Sequence, residues 1–102
     1  MSELTGKQKR HLKALGQSLR AGVIVGREGL TEGTVSAAGA ALQRRELLKI
    51  RMPPGRSAAR KALAEALAGA VGGACVGVVG RTALLYRPNE ALPADARICL
   101  PT

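Results

Sequence analysis

The chain passes from a short apolar run into a helical pattern through the stretch Gly26-Arg27-Glu28-Gly29-Leu30-Thr31-Glu32-Gly33. Closely spaced glycines let a backbone turn sharply and come close to a ligand. The helix that follows directs unpaired N–H groups, with their partial positive charge, at the same place. The stretch therefore predicts a strand-to-helix turn with the outline of an anion site. A turn that binds no ligand is the alternative interpretation.

The charge balance of the chain indicates which anion to expect. Its 102 residues include sixteen Lys and Arg against seven Asp and Glu, a formal net charge of +9. The basic residues are spread along the chain and do not form a basic tail. Such an excess favours a polyanionic partner, and the phosphate backbone of a nucleic acid fits best. A G-x-x-G loop that clamps backbone nucleotides is the device of KH-type RNA-binding domains.

The aromatic content narrows the possible binding modes. Tyr86 is the single aromatic residue of the chain. RRM sheets, OB-folds and other single-strand platforms need aromatic side chains on which bases stack. The sequence therefore excludes those designs and predicts binding through backbone contacts and shape, with limited sequence selectivity. A chain of this length is expected to form one domain with one modest core.

The cysteines and the apolar stretches indicate the class of protein. Cys75 and Cys99 lack C-x-x-C spacing and accompany one histidine, His11, so no zinc site or other cofactor is expected. We expect both thiols to be reduced. The N-terminus lacks an apolar signal-peptide core, and the uncharged residues 66–80 are broken by glycines and too few for the roughly 20 residues of a membrane span. These features predict a soluble cytoplasmic protein without a membrane partner.

Periodicity and turn residues predict three helices and four strands. The first helix is predicted at residues 6–15, where Thr5-Gly6-Lys7-Gln8 has the form of a capping box, the second follows a cap at Thr31, and the third covers residues 57–71. The strands are predicted at 21–25, 47–52, 75–79 and 83–86. Strands separated by helices are expected to run parallel, whereas the last two, joined by the turn at Gly80 and Arg81, are expected to be antiparallel. The order α-β-α-β-α-β-β therefore predicts an α/β fold with a small mixed sheet covered by helices.

The glycine loop is one of several stretches that together cover nearly the whole chain. They are Leu4-Thr5-Gly6-Lys7-Gln8-Lys9-Arg10-His11-Leu12-Lys13, Val25 to Gly33, Arg44-Arg45-Glu46-Leu47-Leu48-Lys49-Ile50-Arg51, Val79-Gly80-Arg81-Thr82-Ala83-Leu84-Leu85-Tyr86-Arg87-Pro88 and Ile98-Cys99-Leu100-Pro101. In this order and spacing they closely resemble the CRM domain (chloroplast RNA splicing and ribosome maturation), in its bacterial single-domain YhbY form.

The resemblance implies a fold and a function. The implied fold is similar to the C-terminal domain of translation initiation factor three, a two-layer α/β sandwich with a four-stranded mixed sheet. We assign it to residues 1–88 and expect residues 89–102 to form a tail that docks on the domain. The implied function is RNA binding, with association with precursors of the large ribosomal subunit. The family's loop role maps onto Gly26 and Gly29, with Arg27 between them, while Glu28 departs from the pattern by placing an acid where a phosphate would approach.

The basic residues complete the predicted RNA-binding surface, which has no catalytic role. Besides the loop residues Gly26, Arg27, Glu28 and Gly29, the predicted contacts are Lys9, Arg10 and Lys13 on one face of the first helix, and Arg44, Arg45 and Lys49 at the exit of the second. Each group has an alternative explanation. The face of the first helix is solvated in that case, Arg44 and Arg45 interact favourably with the C-terminal dipole of the second helix, and Lys49 lies on the solvent-facing side of a strand. We expect a monomer.

Two other functions are compatible with the sequence. The chain could be a protein-binding adaptor on the ribosome with incidental positive charge. It could also be an enzyme that holds a phosphorylated substrate in the glycine loop, but the loop lacks the Lys-Ser/Thr pair that completes a P-loop. The salt dependence of RNA binding separates the adaptor from the RNA-binding protein.

Overall fold

A computed structural model describes residues 4–102 and contains the elements in the predicted order. They are α1 (Gly6–Gly16), β1 (Val23–Ile24), α2 (Glu32–Arg44), β2 (Leu47–Arg51), α3 (Ser57–Ala70), β3 (Ala74–Val79) and β4 (Thr82–Tyr86), followed by a 3₁₀ turn at Ala94–Ala96. The prediction of three helices and a four-stranded mixed sheet is confirmed.

Two local hydrogen-bonding motifs begin the first two helices. The Thr5 hydroxyl accepts from the Gln8 N–H at 3.1 Å, and the Gln8 side chain accepts from the Thr5 N–H at 3.0 Å. This pair is the predicted capping box of α1. The Thr31 hydroxyl likewise accepts from the Thr34 N–H at 3.1 Å and caps α2, as predicted. Short polar side chains thus set both helix starts.

The strands are arranged in the order β1-β2-β4-β3. β1 pairs with β2 in parallel, and β4 pairs antiparallel with both β2 and β3. The expected hairpin of β3 and β4 therefore forms, and β4 lies between β2 and β3. Gly80 at the hairpin turn has φ +58, a conformation in which glycine carries no steric penalty. β1 is shorter than predicted because its pairing with β2 covers only two residues before the glycine turn begins.

Both faces of the sheet carry apolar clusters. One face packs against α2 and α3 through a large cluster that includes Leu42, Ile50, Leu67 and Leu85. The sheet and these two helices are the two layers of the α/β sandwich. On the opposite face, Leu12 of α1 packs in a smaller cluster with Leu47, Val76, Leu84 and Tyr86. α1 therefore adds a partial layer there, and Leu47 of β2 is buried on this second face.

Residues 89–102 lie against the side of the sheet that α1 covers. Ile98 and Leu100 pack against the smaller cluster. The Glu46 carboxylate, only 1% exposed, accepts from the backbone N–H groups of Asn89 and Ile98 and from the Arg97 guanidinium. The Gln8 side-chain amide donates to the carbonyl oxygen of Pro101 at 3.1 Å. A domain boundary at residue 88 stays a prediction.

Candidate nucleic-acid interface

The sheet topology brings three turns to one end of the sheet. The carboxyl ends of β1, β2 and β3 lie at the same end because β1 and β2 are parallel and β4 runs opposite to both β2 and β3. We call this the loop end, formed by the glycine turn 26–29, the exit of β2 at 52–56 and the hairpin turn 80–81. Met52 and Arg81 join two of these segments, through an N–H to O bond of 2.6 Å and a guanidinium to carbonyl bond of 3.0 Å.

The glycine turn is closed by its own backbone. The Gly29 N–H donates to the Gly26 carbonyl oxygen at 3.0 Å, and Gly29 has φ +73. A side chain at position 29 would be strained in this left-handed conformation. The turn is therefore a preformed feature that follows β1 and precedes α2.

An acidic side chain lies over this turn. A Cβ atom placed on Gly26 would be 3.0 Å from the Glu28 carboxylate. Glu32 adds a second carboxylate in the first turn of α2, where it interacts favourably with the positive end of the helix dipole. A phosphate at the turn would occupy the space of the first carboxylate, so the exposed Glu28 side chain has to rotate away before the turn binds an anion.

Arginines from three separate segments lie at the loop end. Arg27 is in the glycine turn, Arg51 ends β2, Arg56 ends the exit of β2, and Arg81 is in the hairpin turn, and all four are exposed. Of these, only Arg27 is indicated by a motif of the sequence, because Arg51 and Arg81 are explained individually by exposure on a strand and in a turn and Arg56 belongs to no motif. The cross-strand pairing that brings them to one end is a tertiary feature, and no local pattern indicates it.

Two of the predicted basic residues of α1, Lys9 and Lys13, lie beside the β3 edge of the sheet. Lys9, Arg10 and Lys13 are exposed. The aliphatic part of the Lys13 side chain lies against Gly77. A Cβ atom placed on Gly77 would be only 2.7 Å from the Lys13 Cε. Lys9 shares a cleft with two further basic residues, Arg60 and Lys61 of α3. No local pattern in the sequence indicates that Arg60 and Lys61 lie near Lys9, since about 50 residues separate them along the chain.

Lys49 has an internal role. Its ammonium group donates to the carbonyl oxygens of Gly16 and Leu19, at 3.3 and 3.4 Å. These carbonyls follow the end of α1, where backbone acceptors lack helical partners. Lys49 therefore joins the end of α1 to β2. Its side chain is only half exposed, so this position does not lie on a fully solvated strand face.

Arg44 and Arg45 lie at the far end of the sheet from the glycine turn. α2 begins beside that turn and ends at Arg44, and its 13 residues span about 20 Å at about 1.5 Å per residue. Both arginines are exposed and line a cleft with Arg20. Of the ten residues predicted from the sequence, nine are therefore divided among the loop end, α1 and this far end, and Lys49 lies between α1 and β2.

The titratable groups and the helices add three structural findings. Burial and the nearby Glu65 carboxylate raise the pKa of the Cys75 thiol, against smaller opposing effects of a backbone hydrogen bond at Gly77 and of Lys9 and Lys61. Among residues 4–102, His, Cys, Asp and Glu form no group of three or more that could hold a metal ion. None of the helices described by the structure is both long and apolar enough to cross a membrane.

Comparison with known proteins provides independent findings. The domain family described as CRS1 / YhbY (CRM) matches residues 4–87. The chain is 34% identical to an RNA-binding protein of Haemophilus influenzae, over 99% of this chain and 98% of that protein. It is 35% identical to the Probable RNA-binding protein PA4753 of Pseudomonas aeruginosa, over 84% and 83% of the two chains. The solution structure of SAV1595 from Staphylococcus aureus matches with a TM-score of 0.84 and 31% identity, over 97% and 100% of the chains.

Proposed function

The chain belongs to the CRS1/YhbY (CRM) domain family, and from this we propose that it is a non-enzymatic RNA-binding protein. We further propose that it associates with precursors of the large ribosomal subunit and acts in their assembly. The names of its relatives in Haemophilus influenzae and Pseudomonas aeruginosa support RNA as the partner. The resemblance to the YhbY form supports the ribosomal role.

The observation that carries this proposal is the group of arginines around the preformed glycine turn. Arg27, Arg51 and Arg81 come from three segments that the sheet brings to one end. Guanidinium groups bind phosphate through paired hydrogen bonds, so three of them at one end suit a nucleic-acid backbone. Lys9 of α1 and Lys61 of α3 add positive charge along the neighbouring β3 edge, beside the Glu65 carboxylate.

The mechanism is recognition of backbone and shape. Arginine and lysine side chains contact phosphates and displace condensed counterions, which supplies most of the affinity. The glycine turn allows close approach of the RNA backbone once the Glu28 carboxylate has moved aside. Phosphate contacts position a protein on RNA but carry little sequence information, so selectivity comes from RNA structure.

Salt titration tests the proposal. We expect affinity for a structured fragment of large-subunit ribosomal RNA to fall steeply with salt concentration, with a log–log slope of about 0.7 to 0.9 for each phosphate contacted. The triple variant Arg27→Gln, Arg51→Gln, Arg81→Gln should reduce that slope by about two to three units. The matched control, Arg20→Gln with Arg44→Gln and Arg45→Gln, removes three charges at the far end and should reduce the slope less.

Two results would contradict the proposal. If the wild-type protein does not bind the RNA even at low salt, the proposal of RNA binding is wrong. Binding with no dependence on salt would instead favour the adaptor function. Co-sedimentation of the wild type and the triple variant with large-subunit precursors tests the ribosomal role separately, and equal co-sedimentation would exclude the loop end as the contact surface.

A further inference from the structure

α1 leaves part of the sheet face on which it packs uncovered. α1 covers the part where Leu12 packs against Leu47, Leu84 and Tyr86. Beyond it, the last cross-strand row at the loop end consists of four residues paired in register: Ile24 with Arg51, Arg51 with Thr82, and Thr82 with Val79. Directly paired residues lie on the same face of a sheet. We call these four residues the open row.

The open row exposes two large apolar side chains. Ile24 is 74% exposed and Val79 is 75% exposed, the highest values among the large hydrophobic residues of the described chain. Their neighbours Val23 and Val78 lie on the opposite face and pack in or against the larger core cluster. Single exposed apolar residues are common on protein surfaces, but these two end the same row, about 14 Å apart at three strand spacings of about 4.8 Å.

Positive charge accompanies this apolar surface. Arg51 lies within the row, and a cleft of about 310 Å³ next to it is lined by the basic side chains of Lys13 and Lys49 as well as by Thr82 and Val79. Among residues 4–102, no Asp or Glu lines the cleft. A ligand that matches the surface must therefore be both anionic and partly apolar. Nucleotides meet both conditions, because phosphates bind cations while bases pack on apolar side chains.

The open row is continuous with the loop end. Only Val25 separates Ile24 from the glycine turn, and Val79 immediately precedes the hairpin turn that carries Arg81. On the basis of the function proposed above, we propose that unpaired nucleotides of the bound RNA lie across the open row, with bases against Ile24 and Val79 and phosphates toward Arg51 and Lys13. Aliphatic side chains here take the place that aromatic rings occupy in other single-strand binders.

A double variant isolates the apolar contribution. Ile24→Thr with Val79→Thr keeps β-branched side chains on both strands and removes apolar surface, and both positions are exposed, so the fold is retained. We expect its affinity for a hairpin RNA with a single-stranded loop to fall roughly tenfold, equivalent to about 1.4 kcal/mol of lost apolar contact. The slope against salt should not change, because no charge is removed. Affinity for the fully paired duplex of the same stem should stay at the wild-type value.

The control is Leu15→Gln, which removes an apolar side chain that is 40% exposed on α1, away from the open row. It should bind both RNAs as the wild type does. If the wild type binds neither RNA, the proposed function itself fails. If the wild type binds but the double variant binds both RNAs equally well, or loses affinity for both equally, the open row does not hold bases and this inference is overturned. Unchanged RNA binding with loss of a ribosomal protein partner would also overturn it, in favour of a protein-docking face.

Discussion

Arg27 and Glu28 occupy adjacent positions in the glycine turn and carry opposite charges. The Arg27 side chain is exposed and makes no hydrogen bond within residues 4–102. The Glu28 carboxylate, in contrast, lies over Gly26. Coulomb interactions between exposed groups act over a few ångströms and are screened by salt. These two side chains should therefore affect a phosphate at the turn in opposite directions.

We predict that Arg27→Glu weakens binding to structured RNA roughly tenfold, and that Glu28→Gln strengthens it about two- to threefold, because each changes the local charge seen by a phosphate. Both residues are exposed, so the free energy of unfolding should change by no more than about 0.5 kcal/mol. Equilibrium binding at fixed low salt, together with thermal unfolding, measures both effects. Equal affinities for the wild type and both variants would move the contact away from the turn.

Gly29 separates the effect of charge from that of backbone. Its φ of +73 makes most substitutions strained, but Asn tolerates this conformation better than other residues. Gly29→Asn is thus the backbone control for Gly29→Asp, which differs from it by one negative charge. Similar losses of RNA affinity in these two variants would show that the turn geometry matters more than its electrostatics.

Ionisation of the Tyr86 phenol affects the stability of the folded protein at high pH. Burial raises the pKa of its phenol above the ordinary value of 10.0, with a further increase from Glu46 and an opposing effect of Arg97. The folded state therefore holds this proton more tightly than the unfolded state. Stability that is present below about pH 10 is lost as pH rises through the raised pKa, because deprotonation favours unfolding.

We predict that the free energy of unfolding of the wild type falls more steeply above about pH 10 than that of Tyr86→Phe, which has no phenol to ionise. Near neutral pH the two proteins should differ little in pH dependence. Urea unfolding across both pH ranges measures the difference, and lysine titration contributes equally to both proteins. Parallel stability curves throughout the alkaline range would show that the phenol titrates as it does in the unfolded chain.

Among the elements, the tail of residues 89–102 depends on a buried carboxylate. Glu46 lies between α2 and β2, and its oxygens accept hydrogen bonds from the backbone of Asn89 and Ile98 as well as from Arg97. A carboxylate away from water requires such partners, and removal of either side leaves unpaired polar groups. The acid therefore joins the tail to the domain and keeps the smaller apolar cluster covered.

We predict that Glu46→Gln destabilises the protein by about 1 to 3 kcal/mol, because an amide cannot accept all three hydrogen bonds with the strength of a carboxylate. Hydrogen exchange at the amides of Asn89 and Ile98 should accelerate, and protease cleavage after Arg97 should become faster. Glu90→Gln, an exposed change in the same segment, is the control and should alter neither. Unchanged exchange at both amides would mean that apolar packing alone holds the tail.

Across the fold, the two ends of the sheet differ in what they offer to a polyanion. The loop end combines a preformed turn, four arginines and the open row, while the far end carries Arg44 and Arg45 beside Arg20. α1 connects the basic surface of the β3 edge to the sheet through Lys13 and Lys49. A large structured RNA is the kind of partner that contacts such a distributed surface, since dispersed phosphates add affinity in small steps.

Local patterns in the sequence predicted the order of helices and strands, both threonine caps and the hairpin turn. These features depend on interactions between residues a few positions apart, such as Thr5 with Gln8, so they are visible in a single sequence. The glycine turn and the individual basic residues could be identified in the same way. Which of them belong to one RNA contact surface stays a prediction.

The relations between distant segments required the folded chain. Hydrophobic burial places α1 on the second face of the sheet, and hydrogen-bond register brings Ile24, Arg51, Thr82 and Val79 into one row. Glu46 has its partners 43 to 52 residues further along the chain. Register and burial result from the packing of the entire domain, because a shift of one residue in a strand moves every side chain to the other face.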